Sequence, residues 1–197
     1  MPEVSIAVPT YNGALYIKEC LRSAMAQTFT DLEIVVVDDC SSDRTWAIAE
    51  SMAARDGRIR MVRNPCRLGL VQNWNRSICH CTGKWIKFLF QDDLLHEHCI
   101  ERMLSAANAD QNSTPKAFVV GDRDFLIEDG VANHLRLFYE SSVVTLKDIF
   151  QKRSFIGPEA LSKAIIERGV GLNFVGEPTS VMVKREMFTK YSFLTNI

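Results

Sequence analysis

Apolar positions along the first hundred residues switch repeatedly between two spacings. Short runs of near-continuous apolar residues alternate with stretches in which apolar residues return every three or four positions. The first pattern belongs to strands buried on both faces and the second to amphipathic helices. Residues 4–8 predict a strand stopped by Pro9, and Asn12 offers a cap for a helix whose inner face carries Ile17, Cys20, Leu21, Ala24 and Met25. Residues 33–37 predict a second strand. Ser41, Ser42 and Asp43 can cap a helix reaching about Arg55, with Ile48 and Met52 inward. A third strand, 58–63, ends at Asn64-Pro65, and a third helix shows Val71, Trp74, Ile78 and Cys81 before Thr82-Gly83. Residues 85–90 predict a fourth strand, followed by a helix with Leu95, Cys99, Met103 and Ala106 inward. This alternation predicts an α/β fold, a mostly parallel, Rossmann-like sheet flanked by helices.

Near Asn108 the regular alternation stops. A polar loop at 110–114, a strand at 117–121, a hairpin turn at Asp129-Gly130, an irregular stretch at 138–157, a helix at 158–166 ended by Gly169, and late strands at 174–175 and 181–183 are expected. With no linker or repeat, residues 1–109 and 110–197 read as two halves of one domain, the second a smaller mixed region.

Composition narrows the function. The 197 residues carry 23 basic and 24 acidic side chains, evenly mixed, for a net charge of −1. Nucleic-acid binding usually needs a basic face, so no nucleic-acid partner is expected. The 47% hydrophobic content is that of a globular protein, and no run approaches a membrane span. Met1-Pro2-Glu3-Val4 does not read as a signal peptide, so the six cysteines read as reduced thiols and the expected location is the cytoplasm. Cys79-His80-Cys81 and His96-Glu97-His98-Cys99 read as core cysteines and surface histidines rather than a zinc site.

In an open parallel sheet, ligands bind beyond the carboxyl ends of the strands. Four loops occupy that edge: Pro9-Thr10-Tyr11-Asn12, Asp38-Asp39, residues 64–69, and Gln91-Asp92-Asp93. Carboxylate pairs directly after buried strands are costly unless they meet donors or a cation. Oxygen ligands suit Mg²⁺ or Mn²⁺, which keep positions open for substrate phosphates. The chain lacks both the Gly-x-Gly-x-x-Gly turn and the Gly-x-x-x-x-Gly-Lys-Ser/Thr loop, and Gly-x-Ser-x-Gly is absent too. What remains is a diphosphate held through a metal. Asp38 and Asp43 read as structural.

These segments, together with 36–43, 64–75, 82–86 and 90–93, resemble family two of the nucleotide-sugar glycosyltransferases, of GT-A fold, over about residues 3 to 105. The resemblance implies roles for individual residues. Tyr11 lies against the nucleobase, with Pro9, Thr10 and Asn12 around it, and Asp39 accepts from the base. Asn73 and Asn75 line the donor pocket, Arg67 reaches toward the diphosphate, Asp92 bonds the ribose, and Asp93 coordinates the metal. It further implies an inverting, metal-dependent hexosyl-type transferase moving sugar from a nucleoside diphosphate, UDP favoured, to a saccharide or lipid-linked glycan, with peripheral contact at the inner face of a membrane. Family members supply their general base from an acidic motif in the second half. Val181 to Phe188 resembles the segment before that motif, so the expectation is an incomplete catalyst that holds donor but transfers poorly. The competing expectations are Glu177 as the base of a short, complete enzyme, and a nucleotide-sugar-binding regulatory module without activity.

Overall fold

The computed structural model describes residues 1–109, 118–121, 126, 132–134 and 178–191, the side chains of 189–191 excepted. In chain order the described elements are β1 (Val4–Thr10), α1 (Ile17–Met25), β2 (Leu32–Asp38), α2 (Thr45–Ala53), β3 (Ile59–Arg63), α3 (Leu70–His80), β4 (Trp85–Phe88) and α4 (Cys99–Asn108). They continue with β5 (Phe118–Val120), a 3₁₀ turn (Pro178–Ser180), β6 (Val181–Lys184) and α5 (Arg185–Tyr191). The six strands form one sheet in the order β3-β2-β1-β4-β6-β5. Strands β1 to β4 are parallel to one another, and β6 runs antiparallel to both β4 and β5.

Alternation along the strands divides the core in two. Val4, Ile6 and Val8 of β1 and Ile34 and Val36 of β2 face a layer containing Ile17, Leu21, Ala49, Met52, Ile100 and Leu104 of α1, α2 and α4. Ala7, Val35, Val37, Ile86 and Phe88 face the opposite layer, where Trp74 and Ile78 of α3 and Phe188 of α5 pack. An apolar side chain buried on either face contributes roughly 1.5–3 kcal/mol, which explains why apolar residues dominate both faces of these strands. The chain steps outward from β1 to β2 and β3, then returns to place β4 on the other side of β1. That reversal opens a crevice between the carboxyl ends of β1 and β4.

Four local expectations change. The first strand runs through Pro9 to Thr10, pairing Pro9 with Val37 in register. Proline is tolerated because the Ala7 carbonyl, two residues earlier on the same edge, accepts the Leu89 N–H, and the ladder to β4 stops at Ala7 and Phe88. The missing Pro9 N–H thus faces past the end of that ladder. Asn12 does not cap α1, which starts at Ile17 with Tyr16 before it and no side-chain cap. Asn12 is instead left-handed at φ 47°, and its Oδ1 accepts from the Ser42 N–H at 2.9 Å. The fourth strand ends at Phe88 because Phe90 and Asp93 close a turn, Asp93 N–H to Phe90 carbonyl at 3.0 Å. Helix α4 begins at Cys99, past Leu95, because the backbone of 95–97 bonds sideways to Ser23, Gln27 and Thr28. The expected features at 110–114, 129–130, 138–157, 158–169 and 174–175 lie outside the described residues, whereas the strands at 118–120 and 181–184 are present.

Lys87 of β4 is buried, 1% exposed, and its Nζ donates to the carbonyls of Phe88, at 3.0 Å, and Thr179. It thereby ties β4 to the turn preceding β6. Burial pushes its pKa down to about 8, against 10.5 for an exposed lysine. Between those values the unfolded chain binds more protons than the folded one, so the contribution of Lys87 to stability rises with pH across that window. Below about pH 8 both states carry the charge and the full desolvation cost is present. Cys20 and Cys81, whose thiols burial pushes up, oppose this in the alkaline range. The lysine is therefore isolated by difference: in urea unfolding, wild type should gain on Lys87→Met from pH 8 to 10.5. A pH-independent difference would show that burial does not depress Lys87.

Candidate active site

All four loops named above lie at the carboxyl edge of β1 to β4, and hydrogen bonds join them into one structure. At the end of β2, Asp38 and Asp39 are 1% and 2% exposed. Each is satisfied differently. Asp38 accepts from the Ser41 N–H at 3.1 Å and the Ser41 hydroxyl, and the Arg63 Nε lies 3.2 Å from its Oδ2. This tight turn carries Cys40 at φ 60°, a conformation that strains a residue with a side chain. Asp39 accepts at Oδ1 from the Leu68 N–H at 2.8 Å and the Asn64 amide at 2.9 Å, and at Oδ2 from the Gly69 N–H at 2.8 Å. Gly69 has φ 88°, a conformation for which glycine is the natural residue, and it precedes α3 directly.

Asn73, 4% exposed on the first turns of α3, completes this knot. Its amide donates to the Val37 carbonyl at 3.1 Å and the Thr10 carbonyl at 3.4 Å, and its oxygen accepts from Asn64 at 2.9 Å. Asn64 Nδ2 serves two acceptors, which fixes the amide orientation and leaves its buried Oδ1 without a partner. The structure therefore places Asp39 and Asn73, expected at the donor, inside a buried network that shapes the 64–69 loop. Oδ2 of Asp39 keeps acceptor capacity beyond its single bond. Asn64 was not singled out from the sequence. Its signal there is a lone amide between the end of a strand and a proline.

The 64–69 loop delivers Arg67 onto Tyr11. The exposed guanidinium sits 4.3 Å from the centroid of the half-buried ring, a cation–π contact. Pro9 and Thr10 are buried in β1, and the Thr10 carbonyl also accepts the Asp39 N–H at 2.8 Å. Beyond Tyr11, the backbone is held from the β2–α2 side: Asn12 N–H to Ser41 Oγ at 3.0 Å, Gly13 N–H to Thr45 Oγ1 at 2.8 Å, and Ala14 N–H to Asp43 at 3.1 Å. Asp43 also accepts from the Thr45 N–H at 2.9 Å, but the residue at the cap of α2 is Arg44, which makes no side-chain cap, so none of the expected oxygens at 41–43 occupies that position. From the β4 side, Gln91 reaches across: its Oε1 accepts from the Thr10 hydroxyl at 2.7 Å and the Tyr11 N–H at 2.9 Å, and its Nε2 donates to the Tyr11 carbonyl at 3.1 Å.

Asp92 is exposed and Asp93 half-buried on the turn after β4. Burial first, and then the charges of Asp93 and Asp92, push the nearby Cys20 thiol upward. Asn75 is half-buried on α3. Trp74 stacks on Phe90 at 4.8 Å in the second core layer, a packing role as expected. Glu177 lies outside the described residues. Among the described residues no three His, Cys, Asp or Glu side chains converge as a metal cage. The acids here thus sort into Asp38 and Asp39, buried and bonded, and Asp92 and Asp93, one exposed and one half-buried on the turn after β4.

This architecture is the GT-A type. Over 98% of its length the chain superposes on the S. aureus TarS 1-349 structure with UDP-GlcNAc, with a TM-score of 0.72, 18% identity and 48% of that chain covered. It also superposes on the Pyrobaculum calidifontis mannosyltransferase PcManGT with GDP-Man and Mn²⁺, with a TM-score of 0.62, 23% identity, and coverage of 96% of this chain and 46% of that one. The sequence profile of glycosyl transferase family 2 matches residues 5–167, and the chain belongs to that family. It is 33% identical over 109 residues to the Campylobacter jejuni GalNAc(5)-diNAcBac-PP-undecaprenol beta-1,3-glucosyltransferase, covering 55% of this chain and 35% of that protein. The chain spans about a third to a half of the length of the curated relatives it matches.

The two kinds of acid should respond differently to neutralisation. Asp39→Asn sets an amide donor against backbone N–H donors in a buried site, which costs on the order of 2 kcal/mol or more. Asp92→Asn, at an exposed position, should change stability by less than about 0.5 kcal/mol. Urea unfolding of the two variants measures both. Equal effects would contradict this division.

Proposed function

We propose that this chain forms the donor-binding part of a metal-dependent, inverting glycosyltransferase that takes sugar from a nucleoside diphosphate, UDP favoured, to an acceptor hydroxyl on a saccharide or lipid-linked glycan. The observation that carries the reading is the reversal of strand order between β1 and β4, which sets the loop of the aromatic Tyr11 beside the turn that carries the exposed Asp92 and the half-buried Asp93. The C. jejuni relative, named for a lipid-linked acceptor, supports the acceptor class, and the UDP-GlcNAc complex of TarS supports the donor class. Residues 1–109 hold the donor on this reading, and 110–197 serve the acceptor side. No described helix is long and apolar enough to cross a membrane; the contact with a lipid-linked acceptor that this reading includes is peripheral, at the inner face of a membrane.

In this reading Tyr11 stacks on the base once Arg67 has moved aside or closed over it, and Asp92 accepts from the ribose hydroxyls. The residues present fit a divalent cation: two carboxylates on one turn leave most coordination positions to water and phosphate, the habit of Mg²⁺ and Mn²⁺. Asp93 would hold it, and when bound it supplies Lewis-acid neutralisation of the departing diphosphate. The acceptor oxygen attacks the anomeric carbon as the bond to the diphosphate oxygen breaks, and the acceptor proton passes to a carboxylate on the opposite face. Glu177 is the candidate for that base within this chain.

Two measurements test the donor reading. A hundredfold excess of UDP over its dissociation constant should stabilise the chain by about 2.7 kcal/mol, read as a thermal shift that Mn²⁺ enlarges. By calorimetry, Asp93→Asn should abolish the Mn²⁺ enhancement while leaving metal-free binding, and Tyr11→Ala should weaken UDP with or without metal by about 1–3 kcal/mol, the usual worth of a base–aromatic stack. Neither substitution changing binding would refute the assignment. Transfer by the unaltered chain that disappears in Glu177→Gln would establish Glu177 as the base.

A further inference from the structure

We propose that Gln91 is a positioning residue that sets the spacing between the nucleobase wall and the metal-binding turn, so that a single donor can engage both at once. The inference rests on the donor reading above for its functional part and on ligand-free geometry for its mechanical part. Gln91 touches neither the base nor the metal in that reading. Its amide instead takes both backbone polar groups of Tyr11, accepting the N–H at 2.9 Å and donating to the carbonyl at 3.1 Å, and accepts the Thr10 hydroxyl at 2.7 Å. Three bonds from one side chain act as an extra rung between β1 and β4.

That rung falls where the backbone ladder has run out. The last paired residues are Ala7 and Phe88, followed by the Leu89 N–H to Ala7 carbonyl bond at 2.9 Å. Pro9 carries no N–H to continue it. The neighbours Asn12, Gly13 and Ala14 are all tied the other way, to Ser41, Thr45 and Asp43 on the β2–α2 side. The three bonds of Gln91 therefore link the Tyr11 segment to the turn that carries Asp92 and Asp93. Gly13 fits the same device. A Cβ there would collide with the Oε1 and Cδ of Gln91, so a glycine at 13 leaves room for the amide to lie flat against the loop.

A ligand that binds through a base at one end and a metal-bound diphosphate at the other behaves as a linked pair. The second contact gains from an effective concentration set by how well the two sites are spaced. Loss of the rung leaves both contacts available but no longer held at matching positions. Gln91→Met, of similar length and with no hydrogen-bonding amide, should accordingly leave uridine binding within about threefold of wild type. It should also cut the Mn²⁺ enhancement of UDP binding roughly tenfold, with little change in melting temperature. A residue that merely supported the fold would lower melting temperature and weaken uridine and UDP together. Gly13→Ala, which keeps Gln91 but displaces its amide, should reproduce the loss. Thr10→Val, which removes one bond, should give a smaller loss that is not additive with Gln91→Met.

Calorimetry of uridine and of UDP with and without Mn²⁺, alongside hydrogen exchange of the ligand-free chain, makes the test. Exchange at the Tyr11 amide should quicken by about tenfold or more in Gln91→Met and in Gly13→Ala, with β2 unchanged. Unaltered exchange at Tyr11, or an Mn²⁺ enhancement equal to wild type in both variants, overturns the proposal. Should the wild type bind no UDP, the donor reading fails and the spacing function falls with it, while exchange still decides whether the rung exists. Should Gln91→Met not fold, Gly13→Ala and Thr10→Val carry the same comparison.

Discussion

Two carboxylates at the end of a central strand, Asp38 and Asp39, are almost fully removed from water, and the whole carboxyl edge of the sheet is organised to satisfy them. A buried carboxylate is tolerable only where donors surround it. Asp38 obtains them from its own turn and from Arg63, whereas Asp39 reaches across to the loop after β3 and fixes Leu68, Gly69 and Asn64. From that one desolvated group follow the start of α3, the position of Asn73, and the delivery of Arg67 onto Tyr11. The edge is pre-formed because its internal electrostatics demand it.

The two acids at the end of β4 follow the opposite rule. Asp92 is exposed and Asp93 half-buried on a turn, so neither is enclosed as Asp38 and Asp39 are. The reversal of strand order between β1 and β4 places this turn beside the Tyr11 loop, and Gln91 bridges the gap where backbone pairing has ended. Membership of glycosyl transferase family 2 gives this arrangement its chemical context. The division between acids that hold the loops and acids that face the crevice comes from burial and hydrogen bonding in this chain.

Lys87 shows the same economy on the other side of β4. Its buried Nζ joins Phe88 and Thr179, so that the antiparallel strand β6 and the turn before it are fastened to the strand that leads to Asp92 and Asp93. Its depressed proton affinity is the cost of that placement.

The sequence by itself determined the four parallel strands, their covering helices and the four loops that gather at one edge, because apolar periodicity reports burial directly and a parallel sheet has only one ligand-binding edge. Ordered motifs identified Tyr11, Asp39, Asp92 and Asp93 as residues of that edge. Only the tertiary structure decided what each of them does there. Asp38, Asp39, Asp92 and Asp93 are alike in sequence, two pairs after two apolar runs, and differ because Asp39 meets backbone donors 29 and 30 residues away while Asp92 meets water. Asn12 looked like a helix cap and became a brace for Ser42, and Gln91, which had no role assigned from the sequence, became a clamp on Tyr11, 80 residues earlier. Hydrogen-bond partners so distant along the chain leave no periodic trace in it: local spacing encodes which face is buried, whereas the pairing of polar groups is fixed only when the sheet order brings their loops together.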